Sequence, residues 1–247
     1  MLPLQQFFSD GLLAGGTGGL RWHWHAAQSL KRWQGTLAKI EYFLNTFKPG
    51  SSHLLLVGGS AGWMMPRQWL LQFERIDAYD IDPLAQYLFN WRHGRHLKKQ
   101  GVQVRHHRQD ALASLPQLLS THPTACVWFD NVLGQHRYRL RDIDRTEKEL
   151  NALKQQLHGR SWGSLHDWLS GPRQSPQPLV LQAIQALAAD AQDPAFAQKL
   201  LQQIGAHDVW SDHLTGHVFA ANTPTHFIPW AFTPEHGHWL QAGWVQA

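Results

Sequence analysis

Four short runs in the first 130 residues constrain this chain more than any other feature: His53-Leu54-Leu55-Leu56-Val57, Ile76-Asp77-Ala78-Tyr79-Asp80, Val102-Gln103-Val104-Arg105-His106 and Ala125-Cys126-Val127-Trp128-Phe129. The first is nearly all apolar and is stopped by glycine, the pattern of a strand buried on both faces of a parallel sheet. Helical stretches lie between the runs. One is expected from Trp63-Met64 to Phe73; another opens where Asp82 precedes Pro83 as an N-cap and continues at Leu84, Leu88 and Trp91. Strands alternating with helices predict an α/β fold with a doubly wound, Rossmann-like, mostly parallel sheet and right-handed crossovers.

The flanks extend this core. Gly11, Gly15, Gly16, Gly18 and Gly19 form a lead-in that reads as a flexible loop up to Arg21-Trp22-His23-Trp24-His25. Apolar residues at Ala26, Leu30, Trp33, Leu37, Ile40, Leu44 and Phe47 alternate steps of four and three, predicting a helical N-terminal extension that ends near Pro49-Gly50. From Arg137 to Leu157 the chain is highly charged, and Asp144-Arg145-Thr146-Glu147 has the form of a capping box opening an exposed helix. Pro172, Pro176 and Pro178 mark a connection before helices expected over Leu179–Ala189 and from Asp193-Pro194 to Gly205. Phe227–Phe232 and Trp239–Val245 read as a C-terminal β-hairpin. The expectation is one domain over 1–247: loop and helix in 1–50, a cofactor-binding half in 51–136, a helical insertion and loop in 137–178, and helices with a hairpin in 179–247.

Hydrophobic residues at 43% against 16% charged predict a real core and exclude a disordered chain. The single Cys126 rules out an intramolecular disulfide and a cysteine zinc cluster, which fits a reducing cytoplasm. The start Met1-Leu2-Pro3-Leu4-Gln5-Gln6 lacks a secretory pattern, and no stretch approaches the ~20 apolar residues of a membrane span, so no membrane partner is expected. A formal net charge of +4 steers anions weakly and does not establish nucleic-acid binding. The tryptophans are spread over the whole chain, which assigns most of them to packing.

Ligands of doubly wound sheets bind beyond the carboxyl ends of the strands. There Gly58, Gly59 and Gly62 permit a tight turn and a close backbone approach. Asp80 ends the second strand, where a carboxylate accepts hydrogen bonds from a ribose diol; Asp110 follows the third strand, and Asp130-Asn131 the fourth. Over Leu54 to Gln135 this pattern resembles the class I S-adenosylmethionine-dependent methyltransferase family. The resemblance implies S-adenosylmethionine as cofactor and S-adenosylhomocysteine as product. It implies Gly58, Gly59, Ser60, Ala61 and Gly62 as the turn around the methionine end, Asp80 on the ribose, Ile81 against the adenine, Asp110 with Ala111 at the adenine edge, and Asp130 on the cofactor side. The chain departs from the family at Leu56, where an acid is usual, and at Ser60, where a middle glycine is usual.

Methyl transfer depends mainly on positioning, and no catalytic residue is assigned. Asn131, Gln135 and His136 fall where the family binds its acceptor, and Arg21, His23 and His25 are candidates for a lid over it. No Asp/Asn-Pro-Pro-Tyr/Phe motif follows the fourth strand, which favours a small-molecule methyl acceptor. The basic stretch Arg92-His93-Gly94-Arg95-His96-Leu97-Lys98-Lys99 keeps RNA open as an alternative, and a noncatalytic adenosylmethionine-binding or interaction protein is a third reading. A nicotinamide enzyme also fits Gly59, Gly62 and Asp80, with Val57 at the first glycine position of that fingerprint. None of the histidine pairs, His23/His25, His93/His96, His106/His107 or His236/His238, makes a recognised metal motif, so no metal is expected.

Overall fold

The computed structural model describes residues 18–173, 210–220 and 222–247. The chain forms two compact units, Met1–Asp130 and Asn131–Ala247. Lead-in residues 1–17 and the helices expected over 179–189 and 193–205 lie outside the described residues. Among the described residues no helix is long and apolar enough to cross a membrane.

In the first unit, helix α1 (Gly19–Leu44) precedes strand β1 (His53–Val57), helix α2 (Arg67–Leu70) and strand β2 (Arg75–Asp80). Helix α3 (Ala85–Phe89) then runs through a π-helical turn (Asn90–Gly94) into α4 (Arg95–Lys99), followed by β3 (Gln103–Arg108), α5 (Leu115–Thr121) and β4 (Cys126–Asp130). The four strands are parallel in the order β3-β2-β1-β4. The chain thus winds outward from β1 to β3 and returns on the far side of β1, which makes a topological switch point between β1 and β4. Right-handed crossovers place α5 on the sheet face opposite the earlier helices. Ring contacts agree: Trp128 meets Trp69 and Phe43, whereas His53, on the other face, meets His122 just after α5.

Three expectations are corrected here. Helix α1 begins at Gly19, so Arg21–His25 are helical rather than part of a loop; the Gly19 N–H is held by the buried Asp82 carboxylate at 2.9 Å. Its buried stripe runs through His23, Ala26, Ser29, Trp33, Thr36, Ile40 and Phe43, with Leu30 and Leu37 only half-buried at its margin. Helix α2 spans only Arg67–Leu70 instead of reaching back to Trp63, because Ser60 (φ 48) and Gly62 (φ 67) hold the preceding backbone in the left-handed region and Pro66 interrupts it. After β2, Trp91 is 75% exposed and the buried face is Ala85, Phe89, His93 and Leu97. A constant step of four drifts around an α-helix, and the intervening π turn absorbs that drift.

In the second unit, α6 (His136–Leu140) and α7 (Ile143–Gln156) precede β5 (Trp162–Pro172), β6 (Ser211–Asp212), β7 (Thr225–Trp230) and β8 (His236–Val245). Strand β8 pairs antiparallel with both β5 and β7, and β6 pairs with β5. The expected C-terminal hairpin is present as β7/β8, with each strand starting earlier than Phe227 and Trp239. The cap of α7 is Asp142, two residues before the expected Asp144: its carboxylate accepts the Arg145 N–H at 3.0 Å. Strand β5 occupies part of the stretch expected as helical insertion and loop over 137–178, and it is buried along nearly its whole length; Pro176 and Pro178 of the expected connection lie outside the described residues.

Candidate functional site

The site in the first unit is built by strand register. Val57 pairs with Tyr79 of β2 and with Phe129 of β4, so the next residues, Gly58, Asp80 and Asp130, emerge at one level beyond the carboxyl edge of the sheet. Gly58 (φ 74), Ser60 (φ 48) and Gly62 (φ 67) are all left-handed, which folds the turn tightly back over that edge. Gly59 is required by packing: a Cβ there would come within 2.7 Å of Leu56. Leu56, where the resembled family has an acid, therefore fills the space beneath the turn. His93 supports it from the side, with its Nε2 3.0 Å from the Gly62 carbonyl. A cleft beside the turn is lined by Gly59, Ser60, Asp80, Asp82, Gln86 and His106, among others.

Two carboxylates dominate the electrostatics. Asp80 accepts the Ser60 N–H at 2.7 Å on one oxygen and the Asp82 N–H at 2.8 Å on the other. Burial nevertheless raises its pKa to about 6, with Asp82 adding repulsion. Asp130 is 8% exposed, and burial together with the Asp80 charge pushes its carboxyl up to about 8. Asp130 Oδ1 is buried with no hydrogen-bond partner among the described residues. Two acids that resist ionising side by side make a region that favours a cation or a hydrogen-bond donor.

Helix α1 is fastened to this edge. The Trp22 indole N–H donates to Ser60 Oγ at 3.1 Å. His23 Nδ1 accepts from the Trp63 indole N–H at 3.0 Å, so its ring proton lies on Nε2 and is donated to Asp82 at 2.7 Å. Burial works against the Asp82 charge, but hydrogen bonds from His23, Gly19 and Leu84 hold its carboxyl below its ordinary value. Asp82 and Trp22 were missed as site residues; Asp82 carried a signal as a cap before Pro83, whereas its partners are remote in sequence.

The remaining candidates separate. Ile81 is exposed and Ala111 is buried. Asp110 lies two residues past β3, with its Oδ1 accepting the Leu112 N–H at 3.1 Å. Arg21 is exposed on α1, and His25 packs edge-on against Trp33. In the second unit, Asn131 binds the Asp167 carboxylate through Nδ2 (3.0 Å) and the Asp167 N–H through Oδ1 (2.9 Å). Gln135 precedes α6, and the buried His136 Nε2 lies 2.8 Å from Glu149.

No protein-family model matches the chain, and no curated protein matches it. Among solved structures it is similar to a magnesium protoporphyrin IX methyltransferase from Synechocystis with S-adenosylhomocysteine bound, at 14% identity over 98% of this chain and 94% of that one, with a TM-score of 0.45. A S-adenosylmethionine-dependent methyltransferase from Anabaena variabilis aligns at 10% identity over 90% and 93% of the two chains, also with a TM-score of 0.45. A protein described as a zinc-dependent alcohol dehydrogenase, from Rhodobacter sphaeroides, aligns at 11% identity over 86% and 96%, with a TM-score of 0.37. These likenesses are distant. The chain's own strand order and turn define a Rossmann-like α/β protein.

Proposed function

We propose that this chain is a S-adenosylmethionine-dependent methyltransferase acting on a small-molecule acceptor and releasing S-adenosylhomocysteine. The observation that carries the reading is the convergence of the Gly58–Gly62 turn, Asp80 and Asp130 at the switch point of the parallel sheet. The fit is chemical as well as topological. The unpartnered Asp130 Oδ1 and the raised acids suit a ligand bearing a sulfonium and an ammonium group. They oppose a pyrophosphate. A dinucleotide also calls for a helix N-terminus directly after the glycine turn, and here residues 58–66 are not helical.

Bound cofactor supplies an electrophilic methyl group. The residues of this chain bind and orient: the Gly58–Gly62 turn, three of whose N–H groups are donated to Tyr79, Asp80 and Gly59, brings its backbone close to the methionine end, Asp80 accepts from the ribose diol, and Asp130 meets positive charge. Arg92, within the basic stretch, is stacked 4.2 Å over the Trp63 ring, which diverts that one cation from a nucleic-acid surface, while Arg95, Lys98 and Lys99 are exposed.

Isothermal titration of the full chain with adenosylmethionine and adenosylhomocysteine tests the proposal. Saturable heat is expected with both, and Asp130→Asn should weaken the charged adenosylmethionine more than its neutral-sulfur product. Folded protein that gives no heat with either compound refutes it.

A further inference from the structure

We propose that Asp167, His213 and His238 form a binding site for a divalent transition cation of the zinc class in the second unit, independent of the methyltransferase reading. One ligand atom from each residue can be chosen so that all lie within 4.8 Å of one another. Tetrahedral zinc with bonds of about 2.0–2.1 Å separates its ligands by about 3.4 Å, so the Asp167–His238 pair, 2.7 Å apart, must open by about 0.7 Å while the longer spacings, none above 4.8 Å, contract. Two imidazoles and one carboxylate are a donor set suited to zinc, and they leave a fourth position for water.

The surroundings are organised as such sites require. His213 Nδ1 lies 2.8 Å from the Gly134 carbonyl. A carbonyl only accepts, so Nδ1 carries the ring proton and Nε2 is the ring's ligand atom, whose lone pair accepts from the Ser170 hydroxyl at 2.8 Å and would exchange that hydrogen bond for a cation. The approach of Gly134 depends on its missing side chain, since a Cβ there would come within 2.6 Å of the Asp167 backbone nitrogen. His238 Nδ1 lies 2.7 Å from Asp167 Oδ1, and a cation would replace the proton between them. The other Asp167 oxygen is oriented by the Asn131 amide at 3.0 Å. Ligand orientation by a backbone carbonyl and a side-chain amide is the outer-shell pattern that fixes tautomers and positions carboxylates in metal proteins.

A second group, His53, Asp77 and His122, is gathered as closely in the first unit. There Asp77 already carries the Arg75 guanidinium at 2.7 Å and imidazoles from His53 and His107, so a bound cation would sit against a fixed positive charge. The Asp167 carboxylate carries no guanidinium among its described partners.

The test is zinc chloride titrated into the full chain, stripped with chelator, in competition with a chromophoric chelator. One tight equivalent is expected. His213→Gln and His238→Gln should each weaken it by more than the roughly 10–100-fold typical of an outer-shell change, and Asn131→Gly should fall within that range. His53→Gln should leave it intact. Each variant is checked for folding by near-ultraviolet circular dichroism; if His213→Gln does not fold, the more accessible His238 is read alone. Failure of the folded wild type to bind zinc, or wild-type affinity in His238→Gln, overturns the proposal. Loss of the tight equivalent in His53→Gln would move the site to the first unit and overturn it equally.

Discussion

Replacing Asp130 by Asn should stabilise the protein, and increasingly so as the pH rises. An Asp ordinarily titrates near 3.8, but in the folded chain Asp130 is raised to about 8 by burial and by Asp80. From about pH 4 to pH 8 the folded state therefore holds a proton that the unfolded state has released. Stability must fall with rising pH across that window, at about 1.4 kcal/mol per pH unit, and level off above the folded pKa. Between pH 6.5 and 9 the integrated loss is about 2 kcal/mol. Asp80, at about 6, has largely ionised by the start of that interval, and His93 and His166, both near 4, are neutral throughout. Urea unfolding of wild type and Asp130→Asn at pH 6.5, 7.5 and 9 should show their difference growing by about 2 kcal/mol in favour of the variant. Adenosylmethionine should compress this slope, since a bound cation offsets the repulsion. A stability difference that does not change over the interval would refute the assignment of a shared, reluctant charge to this pair.

Three further outcomes follow from the geometry. Asp77 is lowered to about 2 against the opposing effect of burial by hydrogen bonds from His107, Arg75 and His53, so its contribution of about 2 kcal/mol is complete above pH 4 and lost as the pH falls through 2; acid unfolding of Asp77→Asn should lack that part of the transition. His23→Ala removes the partner of a buried carboxylate and should cost roughly 3 kcal/mol, with faster hydrogen exchange along the first turns of α1 by mass spectrometry. Gly62→Ala forces a side chain into a left-handed position (φ 67) and within 2.7 Å of His93, for roughly 2–4 kcal/mol by urea unfolding, and should weaken any ligand held by the turn.

Strands β1, β2 and β4 were legible because each is an apolar or mostly apolar run with a chemically distinct stop: Gly58 after Val57, Asp80 after Tyr79, Asp130 after Phe129. The glycine turn and its flanking acids were legible for the same reason, since strand ends can be located from the runs themselves. Boundaries set by backbone conformation were not. Neither the left-handed Ser60 nor the π turn that brings His93 against Gly62 leaves a mark in hydrophobic spacing.

Strand β5 shows the deeper limit. Ser164, His166, Asp167 and Ser170 are all nearly inaccessible, yet read locally they belong to a solvated loop. A polar group is stable in a core only when its hydrogen bonds are made inside it. Here the partners are Gln241 for His166, His238 for Asp167 and His213 for Ser170, each separated from it by more than forty residues. No local window contains both halves of such a pair, so the burial of one half cannot be read from its neighbours. The same reasoning covers Asp82, whose carboxylate is satisfied by Gly19 and His23 across some sixty residues. Apolar burial is therefore written in local pattern, while polar burial is written in pairs that only the fold brings together, and it is those pairs that orient the imidazoles and carboxylates on which binding chemistry depends.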